Sequence, residues 1–93
     1  MEEKLVSELV KKRRELVDAI REKLSEAGGP MEVAKRLGYG KANLWYHLNY
    51  NNPVVNNIPA LVKISETVAV MIKERQQQAI EAMEESKQQL LNA

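Results

Sequence analysis

The chain has 93 residues, 44% of them apolar, and a formal net charge of +1. That size suits one domain with a modest core, and the absence of cysteine excludes disulfides, thiol chemistry and a thiolate metal site. No stretch approaches the roughly eighteen apolar residues of a membrane span, and the N-terminus MEEKLVSELVKKRR is charged where a signal peptide is apolar, so a cytoplasmic protein is expected.

The first expected element, within residues 1–28, is a long helix from Glu2 to Ala27, stopped by Gly28-Gly29-Pro30. Leu5, Leu9, Leu16, Ile20 and Leu24 recur at helical intervals, with Val6, Val10 and Val17 widening the stripe. At roughly 39 Å such a helix outruns a small core, so part of its stripe should meet something else. The run Lys11-Lys12-Arg13-Arg14 reads first as a solvated face with i, i+4 ion pairs such as Lys11–Glu15 and Arg14–Asp18. A phosphate-contacting patch is the second reading.

Residues 30–50 have the spacing of a helix-turn-helix. Pro30 suits the first helical position, and Gly38, following Leu37, suits the positive φ that ends a helix. Val33 and Leu37 face inward, with Ala34 as the small residue where two helices cross. A second helix is expected from Gly40–Lys41 to about Asn49, with Leu44 and Leu48 one turn apart as its inner stripe.

Residues 51–59 are either a miniature β wing or a plain loop. Asn51-Asn52-Pro53 is a turn signal, Val54-Val55 are β-branched, and Asn56-Asn57 suit a tight hairpin turn. The last expected element is a helix over 60–91, entered just after Pro59. Leu61, Ile64, Val68, Met71 and Ile72 make its dense apolar face. Beyond Arg75 the stripe thins to Ala79, Ile80, Met83, Leu90 and Leu91 among glutamines. A half-apolar extension of this kind suits a partner helix, and the simplest partner is a second copy. Dimerisation is therefore expected through Leu5, Leu9, Ile72, Ala79, Met83 and Leu90. The predicted class is mainly α: a helix-turn-helix, with or without a minimal wing, between two long helices in a dimer.

Charge is unevenly divided along the chain. Residues 1–29 hold seven basic and seven acidic side chains; residues 30–64 hold four basic against Glu32; residues 65–93 hold three basic against five acidic. The positive excess thus lies on the helix-turn-helix stretch. Catalysis is disfavoured by inventory: one His, one Asp and four Ser suggest no nucleophile–base–orienter set. No phosphate-cradling glycine loop or metal-ligand spacing is present, so neither cofactor nor metal is expected.

Ala34-x-x-Leu37-Gly38 followed by Leu44 resembles the helix-turn-helix of phage Cro and repressor proteins. The run Lys41-Ala-Asn-Leu-Trp-Tyr-His-Leu48 is similar to the recognition helix of PadR and ArsR winged-helix regulators, with Gly40 where a Ser or Thr cap is common. A small unit between two long helices also resembles the small DNA-binding proteins of archaeal plasmid partition systems. These resemblances imply double-stranded DNA as partner, a near-palindromic site for a dimer, other partition proteins as further partners, and no membrane.

In such a unit the outward side of the second helix enters the major groove. The residues expected there are Gly40, Lys41, Ala42, Asn43, Trp45, Tyr46 and Asn49, flanked by Lys35 and Arg36 on the first helix and Asn51 and Asn52 beyond. Asn43 and Asn49 can pair with adenine, Lys41 with guanine or phosphate, and Ala42 with a thymine methyl. One of Trp45 and Tyr46 should be buried, leaving Tyr46 the better candidate for a DNA contact. Tyr39 reads as packing, and His47 reads first as a hydrogen-bonded structural imidazole. The expected function is site-selective DNA binding, as an adaptor in partition or as a small transcriptional repressor. The rivals are a helical protein–protein adaptor and an RNA binder that stacks single strands on Trp45 and Tyr46.

Overall fold

The computed structural model describes residues 2–49 and 54–93, the side chains of 54–56 excepted. Among the described residues there are four helices and no strand: α1 (Glu2–Lys23), α2 (Pro30–Leu37), α3 (Lys41–His47) and α4 (Val54–Leu91). The mainly helical class is as the apolar periodicity predicts.

Helices α1 and α4 run side by side in the same direction. Arg13 on α1 meets Asn57 on α4, Ile20 shares a groove with Val68, and Glu26, just past α1, lies beside Ile72 and Gln76. The seam follows heptad spacing on both helices: Arg13, Val17 and Ile20 on α1, continued by Leu24 just past its end, and Asn57, Leu61, Ile64, Val68 and Met71 on α4, and all of them are buried. The chain between the two helices carries α2 and α3, which pack on each other and on α4. Val33, Ala34, Leu44 and Leu48 bring their apolar faces to the same core.

Helix α1 ends at Lys23, four residues before its expected limit. Residues 24–28 tighten into turns, with Ala27 N–H donating to the Leu24 carbonyl at 3.1 Å and Gly28 N–H to that of Ser25 at 3.1 Å. This tighter winding buries Leu24 and Ala27 together. Gly38 closes α2 in the left-handed region at φ 74°, where its own N–H and that of Tyr39 return to the carbonyls of the last turn. Gly38→Ala is therefore expected to cost about 1–2 kcal/mol in urea denaturation. Gly40→Ala, at an ordinary extended φ of −71° with open space around it, should shift stability by no more than about 0.5 kcal/mol.

The segment 54–59 corrects an expectation. Val54 and Val55 belong to neither a wing nor a loop, because α4 begins at Val54 and contains Pro59. Proline has no N–H to return to the preceding turn, so this end of α4 lacks one backbone bond. Asn57 holds it from outside instead: the side chain expected to shape a hairpin turn is buried and bonded to α1 and α3. Asn51, Asn52 and Pro53 lie outside the described residues.

Both long helices overrun the shared seam, at opposite ends of a molecule 68 Å long. Every α1 residue from Glu2 to Lys12 is exposed, and so is every residue from Lys73 to the end of the chain. No described helix is long and apolar enough to cross a membrane.

Candidate nucleic-acid interface

Helix α3 has seven residues, too few to hold together in water without support. Its packing face provides that support. Leu44 and Leu48 are 0% and 1% exposed, and Leu48 is the residue that caps the helix. On the other side Ala42, Asn43 and Tyr46 are exposed, as are Lys41 at the start of the helix, Gly40 before it and Asn49 after it. Tyr46 is 58% exposed, with its ring edge-on to His47 at 5.5 Å.

Trp45 and Tyr39 both pack against the core. Trp45 is half-buried and packs against the core, with the Arg21 guanidinium over its ring at 5.5 Å. Its bulk serves the fold, and Tyr46 is the aromatic that α3 presents outward. Tyr39 packs against the core as expected and lies 5.5 Å from the His47 ring. The expected hydrogen bond of a structural imidazole is absent at His47 Nδ1, which is buried without a partner among the described residues. Ring contacts with Tyr39 and Tyr46 hold the imidazole instead.

On α2, Lys35 and Arg36 are both exposed. Arg36 turns to α4 and donates to Glu74 through Nη1 and Nη2, at 3.2 and 2.6 Å. That hydrogen bonding raises the Arg36 pKa and holds the Glu74 carboxyl below the usual carboxylate range. Because Glu74 is the stronger acid when folded, the pair's contribution is complete above the ordinary carboxylate range and disappears as pH falls through the folded value. The stability difference between the native chain and Glu74→Gln should thus be larger near about pH 7 than near about pH 3, as paired denaturation curves will show.

The basic run on α1 departs from its solvated reading at one position. Lys12 pairs with Glu15 at 3.5 Å on the surface, in place of the Lys11–Glu15 pair expected from spacing. Arg13 turns inward and is 5% exposed. Its Nε donates to Asn57 Oδ1 at 3.0 Å, and its Nη2 donates to the carbonyls of His47 and Asn49 at the end of α3. Asn57 Nδ2 donates to the same His47 carbonyl at 2.9 Å. A guanidinium thus caps carbonyls that α3 cannot satisfy itself, where the helix dipole favours a cation.

Of the residues expected to mediate dimerisation, Leu5, Leu9, Ala79, Met83 and Leu90 are exposed on the overhangs. Ile72 is partly buried against the chain's own core. Among the described residues no group of His, Asp or Glu is placed to hold a metal ion. Comparison of the chain with protein-family models, curated proteins and solved structures finds no match.

Proposed function

We propose that this protein is a cytoplasmic, sequence-selective binder of double-stranded DNA that works as a homodimer and acts by binding, without catalysis. The observation that carries the reading is the division of α3: Leu44 and Leu48 are buried, Ala42, Asn43 and Tyr46 are exposed on the other side, and Lys41 is exposed at the start of the helix, just after a left-handed glycine turn. An amide, an ammonium, a methyl and a phenol on one short helix match the chemistry of base edges and phosphates. Lys35 on α2 adds a nearby cation, whereas Arg36 reaches a phosphate only in competition with Glu74. Asn51 and Asn52, which follow in sequence outside the described residues, are proposed as further contacts.

The dimer is proposed through the exposed apolar residues of the overhangs, which also favour a protein-binding role for the ends of the molecule. The role that best joins a small DNA-reading unit to such ends is a site-binding adaptor for DNA partition, in line with the resemblance drawn above. A small repressor is the alternative use of the same binding. The overhangs also support a second reading, a helical adaptor between proteins with no DNA partner.

Fluorescence anisotropy of labelled duplex, titrated over a range of salt, tests the proposal. Duplex binding that weakens log-linearly with salt supports it. No binding to any duplex at low salt leaves the protein adaptor, and preference for single strands over duplex moves the function to RNA.

A further inference from the structure

Contact between apolar side chains has no inherent direction. A seven-residue helix held by the apolar contacts of Leu44, Leu48 and the half-buried Trp45 can still roll on that face, and a roll changes which side chains face outward. Hydrogen bonds are directional, and α3 receives them from both long helices at its C-terminal end. Arg13 comes from α1 and Asn57 from α4, and the two side chains are 5% and 4% exposed. The Asn57 amide is fixed by its partners: arginine Nε can only donate, so Oδ1 faces Arg13 and Nδ2 faces the His47 carbonyl. Arg13 and Asn57 also open the heptad seam, at positions that Val17 and Leu61 continue with apolar side chains. A polar pair in an apolar seam is a means of fixing one arrangement among several.

We infer that Arg13 and Asn57 are positioning residues for α3. Together they set its roll and tilt, and hence which base edges its outer side can read. This inference rests on the DNA-binding reading above and makes sequence selectivity depend on two buried side chains beyond the reach of a duplex. It also links α3 to the exposed end of α1, since Arg13 is the first buried residue after that overhang.

Two variants of the full chain test it. Arg13→Lys keeps the charge but loses the planar fork that spans Asn57 and two carbonyls. Asn57→Asp keeps an acceptor for Arg13 and removes the donor to His47. Circular dichroism establishes that each is folded, and binding is then measured on two duplexes at one salt concentration. One duplex is that enriched by the native chain from a randomised library; the other is its scramble. The expected result is a loss of about tenfold or more on the enriched duplex, comparable to one mismatched base pair, and of about threefold or less on the scramble, whose binding is phosphate-driven.

Equal losses on both duplexes, or none, overturn the inference, because support of the core alone leaves the specificity ratio unchanged. Unfolding of both variants overturns it too. If the native chain enriches no duplex, the DNA reading falls, and amide spectra of the free protein decide the positioning claim separately. Displaced resonances over 42–49 with those of 64–71 unmoved then support it, and unmoved α3 resonances overturn it.

Discussion

Leu44→Ala is expected to lower the stability of the chain by about 2–5 kcal/mol, the range for emptying a fully buried leucine site. A domain of this size has about 5–15 kcal/mol in all, so the loss is a large share of the total. It also falls where there is little to absorb it. Helix α3 is too short to persist without its packing face, and Leu44 is the most deeply buried residue of that face. The neighbouring Asn43→Ala gives the opposite pattern. Asn43 is exposed, so its removal should change stability by less than about 0.5 kcal/mol and weaken selective binding by about 1–3 kcal/mol. Chemical denaturation and duplex titration of the two variants separate the inner side of α3 from the outer.

Truncation after Arg75 should leave a folded monomer whose affinity for a two-half-site duplex is about 10²–10⁴ times weaker. The fold should survive because no buried residue lies beyond Met71 and everything from Lys73 onward is exposed. The apolar residues removed do not continue the α1–α4 seam. On that face Met71 is followed at heptad spacing by Arg75, Gln78, Ala82 and Glu85, whereas Ala79, Met83 and Leu90 continue from Ile72, about 100° further round the helix. This second stripe has no surface of its own chain to cover it, and Met83 is 64% exposed. Equilibrium sedimentation of the truncated chain reads the outcome. A persisting dimer would place the interface on Leu5 and Leu9 of α1 instead.

The stretch that carries α2 and α3 is the most legible part of the chain because its signals are local. Pro30, Gly38 and the pair Leu44 and Leu48 act within a turn or two of where they stand, and α2, its left-handed cap and the buried face of α3 follow from them. The start of α4 was less legible. Asn and Pro between residues 51 and 59 carry strong turn propensity, but a long-range contact outweighs it at Asn57, whose side chain finds partners on α1 and α3. The same contact hides in the basic run, where Arg13 looks like its neighbours. A signal for both was present: Arg13 keeps step with Val17, Ile20 and Leu24, and Asn57 with Leu61, Ile64 and Val68. Polar residues in register with an apolar seam are either errors or partners, and here they are partners.

The most direct measurement of the central claim is an NMR titration of the ¹⁵N-labelled full chain with its enriched duplex. Perturbation of the backbone from Lys41 to Asn49 and of the Asn43 side-chain amide, with the residues from Gln76 onward unaffected by added DNA, is the predicted result. Signals from α3 that stay in place while another surface responds, or no response to duplex at any concentration, would contradict it.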